Sequence, residues 1–216
     1  MNLPVILNAT DDRDQHSCAP CQLLTKTPAD LPMKILLSIV SLLLLAPYAS
    51  AQSSQDGPLA YSYPKIDTLG KVVQLPTAAQ QPRSGSKIVV DLIKGGDPTK
   101  LNSGIEKVAR FVNIYAGAGA EPAEVEIAVV LHGEATLICL KPDAYAKRFK
   151  CNENPNAQCI KKLRQAGVKI YVCGQSLVGK GQHPDDVEAN VNVAVSALTS
   201  LVNLQAKGHA YVPLGK

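Results

Sequence analysis

Three apolar runs of strand length, Ile88–Ile93, Val125–Leu131 and Val168–Val172, punctuate this chain. Between them lie segments whose apolar residues recur every three or four positions. Connections of that length do not close hairpins; they call for crossovers between parallel strands, with helices covering both faces of the sheet. The expected class is α/β with a mostly parallel sheet. The first crossover is a helix through Ile105, Val108, Ala109, Val112, Tyr115 and Ala116. Its start signals are Asp97-Pro98 and the pair Ser103 and Glu106, and Gly117 and Gly119 close it. The second holds short helical pieces over 134–140 and 142–149, a polar loop from Cys151 to Cys159, and a helix through Ile160 and Leu163 ending at Gly167. After the third strand, a loop with Gly174, Gly179, Gly181 and Pro184 leads to the longest predicted helix. That helix starts at Asp185-x-x-Glu188 and runs through Val187, Val191, Ala194, Val195, Leu198, Leu201, Val202 and Gln205. His209–Val212 reads as a last short strand.

With 216 residues, 46% of them hydrophobic, the chain has material for one ordinary domain with appendages. The compact domain is expected over 87–216. Upstream, residues 52–86 carry Pro58, Pro64, Pro76 and Pro82 among Ser, Gln and Gly, and read as an extended leader or linker. Residues 33–51 read as a secretory signal peptide: Met33-Lys34, an apolar run from Ile35 to Ala46, and Ala49-Ser50-Ala51 as the cleavage site. The apolar run is too short to span a bilayer. The expected destination is periplasmic or secreted, with no membrane association after cleavage. Residues 1–32 are then an over-extended gene start, and the Cys18-Ala19-Pro20-Cys21 pair within them has no strand–helix context for thioredoxin-like chemistry. The competing reading makes Ile35–Ala46 a buried helix or an anchor.

In open parallel sheets, ligands sit outside the carboxyl ends of the strands. That rule selects three loops: Gly95-Gly96-Asp97, His132-Gly133 and Cys173-Gly174, the last extended by Gln175 and Ser176. Cys173 stands at a strand tip before a Gly-rich turn, with Lys180 nearby, a setting that favours a thiolate; the bland reading is a small buried hydrophobe. His132 is read either as an acid/base partner for that sulfur or as a turn-stabilising His bonded to backbone. The segment Gly174–Gly181 falls short of a phosphate-binding loop, because Gly181 stands where a hydroxyl residue would hold magnesium. Among His132, His183, His209 and Cys173 no pair has metal-ligand spacing, so neither a metal nor another cofactor is expected. Two Phe, seven Tyr and no Trp argue against a single-stranded nucleic-acid platform, and no nucleic-acid partner is expected.

An exported chain holds its cysteines in an oxidising compartment. Downstream of residue 51 there are four: Cys139, Cys151, Cys159 and Cys173. Cys151 and Cys159 bracket a polar loop and are the preferred disulfide, leaving Cys139 and Cys173 as free thiols or a redox pair. A Cys159–Cys173 exchange pair stays open as the alternative.

The segment Leu163-x-x-x-Gly167-Val168-Lys169-Ile170-x-x-Cys173, the later Leu201-x-x-Leu204-Gln205-x-Lys207-Gly208-His209, and His132-Gly133 after the second strand resemble the DsrE/DsrF family of sulfur-relay proteins. The resemblance implies a three-layer α/β/α sandwich with a five-stranded, mostly parallel sheet, assembled as a trimer or hexamer. It also implies a persulfide-carrying cysteine at Cys173, working with a sulfur donor or acceptor protein. The expected function is an exported sulfur carrier, at most sulfurtransferase-like. The alternative is a non-catalytic small-ligand-binding or assembly module on the same fold.

Overall fold

The computed structural model describes residues 60–119 and 121–214. The segments read as gene start and signal peptide, and residues 52–59 of the leader, lie outside the described residues. A small antiparallel pair comes first, β1 (Tyr61–Ser62) with β2 (Val72–Val73). The domain proper follows as β3 (Ser86–Leu92), α1 (Ser103–Ala116), β4 (Val125–Leu131), a 3-10 segment over Gly133–Cys139, α2 (Pro142–Phe149), α3 (Ala157–Gln165) and β5 (Lys169–Cys173). It is completed by α4 (Gly174–Gly179), β6 (Asn192–Ala194), α5 (Ala197–Ala206) and β7 (Ala210–Leu214). The main sheet has the order β6-β5-β4-β3-β7, and every neighbouring pair is parallel.

Strand alternation divides the core in two. Ile88, Val90, Leu92, Ile127, Val129, Leu131, Ile170 and Val172 face the larger layer, packed with residues of α1, α2 and α3. Val89, Ala128, Val130 and Cys173 face the other side, covered by Ala197, Leu201 and Leu204 of α5. α5 links one sheet edge to the other. Four strand spacings are about 19 Å, and a ten-residue helix supplies about 15 Å of that.

Sequence expectation and structure part at three places. The long helix predicted from Asp185 is three elements: a 3-10 turn over Pro184–Asp186, the edge strand β6, and α5, which starts only at Ala197 under a Ser196 cap. The apolar residues at 187, 191, 194 and 195 mimic a helical period, yet Val187 and Val191 are buried from non-helical backbone. The Gly-rich loop after Cys173 is helix α4. Finally, α1 is capped by neither Asp97 nor Ser103 but by Asn102, whose Oδ1 accepts from the Gly104 and Ile105 amides at 2.9 and 3.1 Å.

A chain of buried amides holds the loops at the carboxyl end of the sheet. Asn102 Nδ2 donates to the Lys94 and Gly95 carbonyls, and the Asn102 amide donates to Asn156 Oδ1. Asn156 donates to Asn154 Oδ1, and Asn154 Nδ2 reaches the Ile138 and Leu140 carbonyls. The polar loop between Cys151 and Cys159 is therefore closed by asparagines.

Candidate functional site around Cys173

The expected Cys151–Cys159 disulfide is not formed; all four described cysteines are free thiols. Cys159 lies in the core with its sulfur 3.8 Å from the Ile105 carbonyl, whereas Cys151 turns to the Glu153 carbonyl of its own loop. Cys139 is buried in the same layer as Cys159 and donates to the Thr136 carbonyl. Burial pushes both the Cys139 and Cys159 thiols up to about 12, which keeps them protonated. Cys173 belongs to the opposite layer. With the sheet between them, neither Cys139 nor Cys159 is placed to exchange with Cys173, so both the redox pair and the exchange pair drop out.

Cys173 ends β5 and is the N-cap of α4, and its residue is 5% exposed. Burial pushes its thiol up, but hydrogen bonds from the Ser176 hydroxyl and from the backbone amides of Ser176, Ala197 and Gln175 outweigh that, and the net direction is down. The Ser176 amide stands 3.4 Å from Sγ. The first turns of α4 and α5 thus converge on one sulfur, and unsatisfied amides at helix starts favour a negative charge there. Lys180, the cation expected to do this work, is instead paired with Glu134. Gly174 is a close-approach position: a Cβ there would stand 2.9 Å from the Ala194 carbonyl oxygen.

His132 bonds neither to backbone nor into a metal cluster. Its Nε2 lies 2.6 Å from Asp91 Oδ1, and the Tyr211 hydroxyl donates to Asp91 Oδ2, also at 2.6 Å. Asp91 is a carboxylate 4% exposed near the carboxyl end of β3, and Tyr211 lies on β7. Sequence reasoning missed both. The available signal was an acidic residue inside the otherwise apolar run Ile88–Ile93, since a buried carboxylate demands partners. The Asp91 bond holds the Tyr211 phenol above its ordinary range, so it stays a donor.

The remaining predicted residues form a separate feature. Gly95, Gly96 and Gly133 line a cleft of about 500 Å³ with Ile93, Tyr145 and Phe149. This cleft lies on the α2 side of the sheet, away from Cys173. Gly133 has φ of 55° and packs on Ile93, where a Cβ would stand 2.9 Å from Cγ2, so a glycine is required. Asp97 does not enter the cleft; its carboxylate accepts from the Thr99 amide and hydroxyl in a local turn. Among the described residues, no group of three or more His, Cys, Asp or Glu is placed to hold a metal. His183 pairs with the exposed Asp185, and His209 is buried with Nδ1 at 2.9 Å from the Leu204 carbonyl.

The five-stranded parallel order agrees with a family match over residues 87–214 to the DsrE/DsrF-like family. The chain belongs to that family. Among solved structures, the protein of unknown function MTH1491 from Methanobacterium thermoautotrophicum is similar. It is 20% identical, covering 60% of this chain and 99% of that one, with a TM-score of 0.44. No curated protein matches this DsrE-like chain.

Proposed function

We propose that this DsrE-family protein is an exported sulfur carrier in sulfur-compound metabolism, with Cys173 as the persulfide site. One observation supports it above the others: the only described cysteine whose thiol is shifted toward the thiolate is the one at the tip of β5. A thiolate is the nucleophile that takes a sulfane sulfur, and a persulfide is a reversible cap on it. The donors on Cys173 are amide and hydroxyl groups, so they serve a persulfide anion as well as a thiolate. Burial of Cys173 restricts access to slender reactants such as the terminal sulfur of a polysulfide or a protein persulfide. Export rests on the signal-like segment 33–51, and the sulfur donor and acceptor are proteins or polysulfides outside the cytoplasm.

Self-association as a trimer or hexamer is part of the proposal. Val193, Val195, Leu198 and Val202 stand exposed along β6 and α5, an apolar surface that supports an interface between copies. The competing module reading draws on the cleft lined by Gly95, Gly96 and Gly133, which fits a small apolar ligand without using the thiol. Polysulfide treatment followed by desalting and cyanolysis separates the two. The carrier reading expects one labile sulfur per chain, lost in Cys173→Ser; an equal yield from that variant rejects it.

A further inference from the structure

Asp91 is an expensive residue where it stands. An ionised carboxylate buried in the central part of a sheet costs several kcal/mol unless it is paired. Both of its oxygens are occupied, one by His132 Nε2 and the other by the Tyr211 hydroxyl, each at 2.6 Å. Three different strands or strand ends contribute to this arrangement. It lies on the α5 face, because Val89 and Val130 point there and Asp91 and His132 follow them by two residues.

The sheet register sets the end of this chain of bonds beside the strand that carries the thiol. Leu131 of β4 pairs with Val172 of β5 as the last coupled position. One residue further, His132 and Cys173 are neighbours across the strand tips. Backbone at His132 is still extended, with φ of −149° and ψ of −176°, and its amide continues the ladder to the Leu92 carbonyl. Both side chains therefore point to the same face as Val130 and Tyr171. Asp91 holds the Nε2 proton, which leaves Nδ1 as the lone-pair nitrogen of His132.

We propose that Asp91 and Tyr211 are positioning residues that hold His132 as the proton carrier for the Cys173 sulfur. This rests on the carrier reading and assigns its proton path. The imidazole takes the thiol proton as Cys173 attacks the outer sulfur of a persulfide, R–S–SH. The new S–S bond forms at Cys173 as the old one breaks. The departing R–S⁻ takes the proton from the imidazolium, giving R–SH and Cys173–S–SH with no net oxidation. Other titratable groups around this site are Tyr171 on β5 and the Lys180–Glu134 pair, whereas Ala197–Ala206 of α5 contributes none.

The test is the single-turnover rate of persulfide loading on the full chain from inorganic tetrasulfide, followed against pH. Four proteins are compared: wild type, His132→Gln, Asp91→Asn and Tyr211→Phe. We expect His132→Gln to load about 10²-fold more slowly and to lose one inflection of the wild-type profile, the low end of what a positioned acid/base supplies. Asp91→Asn, which replaces the carboxylate that holds Nε2, loads more slowly than wild type and changes the shape of the profile. Tyr211→Phe, which removes only a hydroxyl from a half-exposed ring, changes the profile less than Asp91→Asn and carries the test if Asp91→Asn fails to fold. Variants that load with the wild-type rate and profile overturn the relay alone. Rates that fall with no change of profile also overturn it, since that marks a structural role. A wild type that never loads overturns the carrier reading beneath it.

Discussion

At Cys173 the balance is between burial, which favours the neutral thiol, and four hydrogen bonds, which favour the anion and win. Ser176 supplies two of them, one from its hydroxyl and one from its amide. Ser176→Ala is expected to raise the Cys173 titration and slow its alkylation by iodoacetamide at neutral pH by about threefold to tenfold, in keeping with the loss of one hydrogen bond of about 1 kcal/mol. A bulky aromatic disulfide reagent should react more slowly than iodoacetamide in both proteins, because the thiol is buried. The folded-state titration of Cys173 is depressed, so its contribution to stability is present above the ordinary thiol range and is lost as pH falls through the folded value. Urea unfolding of wild type and Cys173→Ser across that range checks the sign: the wild type should gain stability relative to the variant as pH rises. Cys173 itself was legible from its place at a strand tip. Its donors were not, because Ala197 comes from a helix start twenty-four positions downstream that the periodicity had put mid-helix.

Elements that carry no chemistry set the geometry of the loops. Asn102 caps α1 and also ties Lys94 and Gly95 to the start of that helix, so its removal strands two carbonyls and two amides. Asn102→Ala is expected to cost about 2–3 kcal/mol in chemical denaturation, the cap plus unmet buried partners. Gly174→Ala should displace β6 from the tip of β5, because the added Cβ meets the Ala194 carbonyl; slower loading of Cys173 with a lower thermal midpoint is the expected readout. The strands β3, β4 and β5 and the helix α1 were readable because each is a long, uniform pattern. β6 was not: three residues, Asn192–Ala194, give too short an alternation to outweigh the helical spacing of Val187, Val191 and Val195. The disulfide expectation failed for a related reason. The asparagines at 154 and 156 close that loop through buried amides, and spacing alone cannot show where a polar side chain points.

In the whole domain, the two faces of the sheet keep two kinds of feature apart. One face holds α1, α2 and α3 together with Leu177 of α4, the Cys139 and Cys159 thiols kept protonated by burial, and the glycine-lined cleft. The other holds α5 alone, with Cys173, His132, Asp91 and Tyr211 in a row across β5, β4, β3 and β7. The exposed apolar residues of β6 and α5 border that second face, which leads to the expectation that Leu198→Glu shifts the protein toward monomer in sedimentation velocity without unfolding it. The central claim is that Cys173 alone carries sulfur. Peptide mass spectrometry of the full chain, exposed to polysulfide and then trapped with a thiol-blocking reagent, tests it most directly. A reductant-labile extra sulfur is expected on the Cys173 peptide, and none on the peptides of Cys139, Cys151 and Cys159. An unmodified Cys173 peptide, or equal loading at Cys139, Cys151 or Cys159, would overturn it.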